Sequence, residues 1–381
     1  MSDTKHTKTI LLLGVGHTHA HIVRNWKRNP IPQTKLVCVS NFPTTVYSGM
    51  LPGVLAGQFP LRAAEIDLQR LCDWAGVELV IGNVTHRSGR QLILADGTTI
   101  AFDVLSVGIG SIPSTRGIEI AHPACLSIKP MQDFTKRFGE RLDRLRFQNR
   151  SEPIKVSIIG GGMAGCEIAL CLQARLSQTA TEIPFELKLI HDAENILQSE
   201  PSRFRRRVSK ELKSRNIHLT TGHRVREISI GALHLEDGST IPNDLAILAS
   251  GAAPPPLLSQ LELPRDDNGF LLTDDSLQST SGEPVFAVGD SGSIQHKSVP
   301  KAGVYAVRQG PILWDNLQRL MDGKTPKKFE PQENFLKLMN FGNRSAAGVW
   351  RGFSFQGAWA LHLKNWIDRS FVQKYQPSDK S

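Results

Sequence analysis

With 381 residues, 40% of them hydrophobic and 21% charged, the chain can bury two or three domain cores and has the composition of a folded globular protein. No stretch reaches the roughly 18 apolar residues of a membrane helix, and the apolar run at 10–13 is too short for the core of a secretory signal. The net charge of +9 is densest at Arg203, Arg205, Arg206, Arg207, Lys210, Lys213 and Arg215; with no aromatic platform or recognition motif beside them, these read as a solvated helix face, and nucleic acid is not expected as a partner.

Residues 9–13 are predicted as a strand, closed by Gly14-Val15-Gly16, and residues 18–28 as the helix that follows. Leu36-Val37-Cys38-Val39 is a second strand and completes a βαβ unit. Further strands are expected at 77–84 and 91–95, with a turn at Asp96-Gly97, and at 102–110, which ends in Gly108 and Gly110. A polar helix over 131–150 leads to a crossing point at Ser151-Glu152-Pro153. A second unit opens at 154, with the turn Gly160-Gly161-Gly162-Met163-Ala164-Gly165, a helix carrying Ile168 and Leu172, and a strand at 187–190. A hairpin turns at Asp237-Gly238, and 245–251 repeats the form of 103–110, ending in Gly251.

Each half therefore carries a glycine turn, a hairpin and a glycine-ended strand in the same order, which is an internal duplication. The strand from Pro284 to Asp290 belongs to neither unit and is predicted to return to the first. The expected fold is α/β: two Rossmann-like dinucleotide-binding domains of three-layer ββα build, the second inserted into the first. Residues 1–120 and 246–330 would form the first domain, 121–245 the insertion, and 331–381 a small tail with Trp350, Trp359 and Trp366.

A strand that feeds a glycine turn into a helix offers backbone N–H groups and a positive helix end to a pyrophosphate. Two such turns suggest two dinucleotides, a flavin in one half and a nicotinamide in the other. In the first turn Gly14 permits the bend and Gly16 the close approach, but the third position of the fingerprint is His19. A side chain there implies looser helix packing or a direct contact of the imidazole with the ligand. His17, His19 and His21 are spread around the helix axis, so no metal site is expected from them. Ser40 and Asn41 stand about 20 residues further on, where a ribose-binding carboxylate is usual.

The second turn has all three glycines, Gly160, Gly162 and Gly165, and its second strand is followed by His191-Asp192. Asp192 would suit the ribose of NADH and His191 the extra phosphate of NADPH; the sequence leaves both open. Glu167 is expected to point towards the reactive end of the cofactor or to stabilise its helix N-terminus. Asp290, a carboxylate at the end of a buried strand after Gly289, needs hydrogen-bond donors, which a ribityl chain supplies. The helix beginning near Lys301-Ala302-Gly303 would aim its N-terminus at the flavin pyrimidine, with Lys301 adding positive charge.

These residues resemble the two-dinucleotide-binding flavoproteins of the pyridine nucleotide-disulfide oxidoreductase superfamily. The segments Tyr47-Ser48-Gly49-Met50-Leu51-Pro52-Gly53 and 301–310 look like its type II NADH dehydrogenase-like branch. More narrowly they are similar to the flavoprotein module often fused to selenide water dikinase, which the stretch from Trp359 to Phe371 also matches. The resemblance covers almost the whole chain. It implies FAD at Gly14, Gly16, Ser48, Gly49, Gly110 and Asp290, with cofactor contacts expected also at His17, His19, Ser40, Asn41, Met50, Pro52, Val84, Gly108, Gly251, Gly289 and Ala302. It implies a nicotinamide dinucleotide at Gly160, Gly162, Met163, Ala164, Gly165, His191 and Asp192, with Glu167 and Lys301 as the catalytic residues.

Hydride would pass from the nicotinamide C4 to flavin N5, and electrons would leave to a quinone or similar small acceptor. That makes the chain an FAD-dependent NAD(P)H oxidoreductase. Residues 42–57 contain no cysteine, so the active-site disulfide of the disulfide-reductase branch is not expected. Cys166 and Cys171 read as core residues, and the five cysteines fit a cytoplasmic protein. Two alternatives remain: a sulfide- or selenium-handling enzyme using Cys125 or Cys166, and a non-catalytic FAD-binding regulatory protein. In the tail, Trp359, Leu363 and Trp366 recur at helical spacing beside Lys364, Arg369 and Lys374, as in a helix lying on the inner face of the cell membrane. Packing on the FAD domain, or a homodimer interface, is the competing expectation.

Overall fold

The run Ile10-Leu11-Leu12-Leu13 is apolar at every position because both faces of its sheet are covered. In the computed structural model, which describes residues 7–121, 124–147, 152–178 and 184–377, strand Lys8–Leu13 lies at the centre of a parallel five-stranded sheet. Its neighbours are Thr34–Ser40 and Val104–Val107, with Glu78–Ile81 and Val285–Ala287 at the edges. Ile10 and Leu12 pack on a helical layer with Val23, Leu71 and Leu313. Leu11 and Leu13 pack on the other side with Leu92, Phe102 and Leu271. The antiparallel sheet Val84–Ser88, Gln91–Leu94 and Thr99–Ala101 supplies the layer on that side.

The second half repeats the build. Its parallel sheet runs in the order Cys125–Ser127, Leu245–Leu248, Ile154–Ile159, Phe185–His191, His218–Thr221. Val156 and Ile158 face helices through Phe134, Leu170 and Val208, whereas Ile159, Ile190 and Leu248 face an antiparallel sheet through Val225 and Leu233. The two Rossmann-like domains are thus three-layered, and the second is inserted into the first.

The strand before Asp290 does return: Ala287 pairs with Val107 in the first sheet. One boundary needs correction. Leu248 pairs with Ile159, so strand Leu245–Leu248 completes the inserted sheet and the chain leaves the insertion after it, not at 246. The two crossings run side by side as an antiparallel ribbon, Ile112–Pro113 on Ala252–Ala253. Gly251, expected to bind cofactor, is occupied there: its carbonyl accepts from the Ser114 N–H at 2.7 Å. The helix predicted over 131–150 spans Met131–Arg146; positions 148–150 and Ser151 of the crossing point lie outside the described residues.

The tail holds strands that the sequence did not announce. Lys337–Asn340, Ala346–Trp350 and Phe353–Gly357 form an antiparallel sheet, followed by helix Ala358–Lys374. Met339, Ala347 and Val349 pack on one face with Phe204, Val208 and Leu212 of helix Ser202–Ser214. That helix leaves Arg203, Arg206, Arg207, Lys210 and Lys213 exposed, as a solvated face. The other face of the tail sheet holds Ala346 and Phe355 against Ala360 and Leu361.

Candidate active site

At the carboxyl ends of the first sheet, where a doubly wound fold opens, lies a cleft of about 510 Å³. Gly14, Gly16, His17 and His19 line it from the first turn and helix, Ser40 and Asn41 from the end of the second strand. Ser48, Val84, Gly108, Gly110, Gly289 and Asp290 complete the predicted set that reaches it.

His19 is the departure that the structure explains. A Cβ built on Gly108 would stand 2.7 Å from His19 Cε1, so the close approach usually bought by a helix glycine is supplied instead by a glycine on the facing strand. The ring is buried, with Nε2 2.8 Å from Ser106 Oγ and Nδ1 against the Gly14 carbonyl. Burial lowers its imidazole to about 4, so it stays neutral. Both ring nitrogens are engaged by protein, and the packing is tight, not loose.

His17 is different. Its Nε2 is buried and has no partner among the described residues, and burial lowers this imidazole to about 4 as well. Its ring meets Tyr47 at 5.2 Å and Phe371 of the tail helix at 5.3 Å, and Phe371 stacks on Tyr47 at 4.4 Å.

Asp290 accepts from Ser111 Oγ at 2.7 Å. Lys129 Nζ donates to the same hydroxyl at 2.9 Å and lies 3.8 Å from the carboxylate. Burial lowers Lys129 and the Asp290 charge raises it. Lys129 and Ser111 are site residues that sequence reading missed. Lys129 stands alone in the loop before a helix, and only the fold brings it back over the first domain.

The residues fit FAD. The orphaned His17 nitrogen, the Lys129 cation and the space left by Gly16, where an added Cβ would meet only the Gly108 carbonyl at 3.7 Å, suit an anionic, hydroxyl-rich dinucleotide.

Several predicted residues lie elsewhere. Met50 and Pro52 are buried at the short helix Leu51–Leu55. Gly49 turns its carbonyl to Lys364 Nζ at 2.8 Å, and Ala302 is the N-cap of helix Gly303–Met321; none of these four lines the cleft. Neither does Lys301. Its ammonium donates to Ser293 Oγ at 3.0 Å and to the Gly292 carbonyl, and sits 4.0 Å from the centre of the Phe270 ring. Burial lowers it to about 8, and these partners hold it in place of the expected flavin pyrimidine.

In the second domain the glycine turn is sterically obligate. A Cβ at Gly165 would fall 1.8 Å from the Gly160 carbonyl oxygen. Gly162 and Ala164 are exposed and Met163 half-buried at the mouth of helix Met163–Gln178. Glu167, expected to face the cofactor, is instead turned to the tail: Oε1 accepts from the Asn340 N–H at 2.7 Å and lies 3.9 Å from Lys364 Nζ. Burial raises it to about 7, against the pull of Lys364 and the Asn340 hydrogen bond. Burial alone would lower Lys364, but the carboxylates of Glu167 and Asp368 outweigh it and leave the lysine raised.

A family model described as pyridine nucleotide-disulphide oxidoreductase matches residues 121–310. The chain is 26% identical over 302 residues to the alternative NAD(P)H-ubiquinone oxidoreductase C1 of Arabidopsis thaliana, covering 72% of this chain and 56% of that protein. It is 27% identical over 251 residues to the demethylphylloquinone reductase NdbB of Synechocystis, covering 63% and 60%. The chain thus spans little more than half the length of these relatives. Among solved structures, NDH2 from Plasmodium falciparum in complex with NADH superposes with a TM-score of 0.81 at 14% identity, covering 97% of both chains.

Proposed function

This chain belongs to the pyridine nucleotide-disulphide oxidoreductase family, and from that premise we propose that it is an FAD-dependent NAD(P)H dehydrogenase delivering electrons to a quinone or similar small acceptor. The observation that carries this reading is the pair of glycine turns, each closing the central strand of one of two matching sheets, with a cleft that suits FAD at the first. FAD, when bound, accepts hydride from a reduced nicotinamide and releases electrons to the acceptor. Gly14 and Gly16 would admit its pyrophosphate, and the Asp290–Ser111–Lys129 cluster would meet its hydroxyls. The turn at Gly160, Gly162 and Gly165 would hold the nicotinamide dinucleotide.

The names of the Arabidopsis and Synechocystis relatives support a quinone as acceptor. The acceptor would dock near the aromatic contact of Phe371 of the tail helix with Tyr47 and His17, beside the cleft that His17 lines. Trp359 and Trp366 are 55% and 68% exposed on the tail helix, and Trp350 and Phe353 are exposed at the adjoining hairpin tip, which supports a peripheral seat on a membrane. No helix among the described residues is long and apolar enough to cross one. The tail helix also packs on the FAD domain, through Lys364 and Phe371, so the two expectations for it are compatible.

A sulfide- or selenium-handling reaction is disfavoured, because burial pushes the Cys125 and Cys166 thiols up to about 12 and leaves little thiolate near neutrality. Turnover tests the proposal. Under argon, the holoprotein should oxidise NADH or NADPH beyond one equivalent per flavin only while a soluble quinone is present, one donor for each quinone reduced. Flavin binding without any such turnover would favour the regulatory alternative.

A further inference from the structure

The choice between the two nicotinamide dinucleotides rests on one strand end. Strand Phe185–His191 finishes at His191, whose register partner in the next strand is Thr221. In this fold the side chain at that position meets the adenosine ribose. A carboxylate there accepts from both ribose hydroxyls and repels a 2′-phosphate, whereas a cationic or hydrogen-bond-donating group admits it. Here the position holds an imidazole, and the imidazole lies against the second glycine turn: a Cβ built on Gly161 would come 2.7 Å from His191 Cγ.

A carboxylate lies beside this imidazole on the next residue. Asp192 Oδ1 stands 3.1 Å from His191 Nδ1, with the Asp192 side chain 64% exposed. That contact is one of distance only, and no hydrogen bond from a described residue engages Nε2. The adjoining loop brings a second histidine to the same place. The His223 N–H donates to the His191 carbonyl at 3.2 Å, and His223 Nδ1 lies 3.1 Å from Asp237 Oδ2. Two imidazoles, one of them hydrogen-bonded to a carboxylate, therefore flank the end of the strand.

Resting on the dehydrogenase function proposed above, we propose that His191 selects the dinucleotide, and that the site prefers the 2′-phosphorylated form, NADPH, to NADH.

Equilibrium binding tests this without turnover. Calorimetry on the purified holoprotein compares adenosine 2′,5′-bisphosphate with 5′-AMP, and NADP+ with NAD+. The 2′-phosphorylated partner should bind about tenfold more tightly in each pair, the scale of one charge-assisted contact. His191→Glu should invert both orders, and His191→Arg should keep them. Tighter or equal binding of 5′-AMP and NAD+ by the unaltered protein overturns the assignment, as does an order that His191→Glu leaves unchanged. Binding of NAD+ with normal flavin reduction by NADH, but no response to NADP+, sinks this inference alone. Failure of every nucleotide to bind sinks the dehydrogenase reading with it.

Discussion

The Glu167 carboxylate accepts the Asn340 backbone N–H at 2.7 Å and so ties the helix behind the second glycine turn to the C-terminal sheet. Lys364, 3.9 Å from that carboxylate, donates to Asp368 at 2.9 Å and to the Gly49 carbonyl at 2.8 Å. One buried ionic cluster thus joins the inserted domain, the FAD domain and the tail. Charges taken from water are tolerated only when paired in this way.

This cluster should give stability a pH signature. Burial raises Glu167 from 4.5 to about 7, so across that window the folded chain binds a proton that the unfolded chain does not. The group's contribution is full below the lower value and is lost as pH rises through the upper one. Glu167→Gln keeps an acceptor for Asn340 and removes the titration. Its stability relative to the unaltered protein should therefore rise by roughly 2 kcal/mol between about pH 5 and pH 8. Parallel curves in chemical denaturation at the two pH values would refute this. His17 and His19, both lowered by burial to about 4, act in the opposite sense. Their contribution is present above the ordinary histidine value of 6.5 and lost as pH falls towards 4.

Gly165→Ala places a methyl group 1.8 Å from a backbone oxygen that has no freedom to move aside. The expected cost is about 3 kcal/mol or more, with nicotinamide binding lost while FAD remains bound to its own domain. Thermal melting together with flavin absorbance measures both, and a fully stable variant that still binds the nicotinamide would show the turn to be laxer than described.

Asp290→Ala removes the acceptor of the Ser111 hydroxyl and leaves Lys129 without its nearby carboxylate. FAD affinity should fall by more than about tenfold, since a hydrogen bond to a charged group is worth roughly 1.5–3 kcal/mol. The ratio of flavin to protein absorbance after gel filtration checks it, and an unchanged ratio contradicts the role.

Replacing Trp359 and Trp366, both more than half exposed, by serine should not disturb the core. Flotation with vesicles of anionic lipid should carry the unaltered protein upward and leave most of the double variant behind, less so at high salt. Equal flotation, or none for either protein, removes the membrane seat.

Much of the architecture was legible because glycine turns and doubly covered strands are written locally, as at Gly14 after the run 10–13 and at Gly160 after Ile159. Asp290 could be identified for a similar reason: a carboxylate following a buried strand has to be satisfied there. Lys129, Ser111 and the Glu167–Lys364 pair were not legible as partners, since each is joined to a residue far along the chain by topology alone. Lys301 was misplaced because its helix start was located correctly but the rival acceptors at Gly292 and Ser293 were invisible in sequence. The tail strands escaped notice because they are short and interrupted by Gly342-Asn343-Arg344, which obscures their alternation.

Anaerobic mixing of the purified yellow protein with NADH or NADPH tests the central claim most directly. The flavin absorbance near the blue end of the visible spectrum should bleach with at least one donor and return when a soluble quinone is added. A band that neither donor bleaches, or a protein that binds no flavin at all, contradicts it.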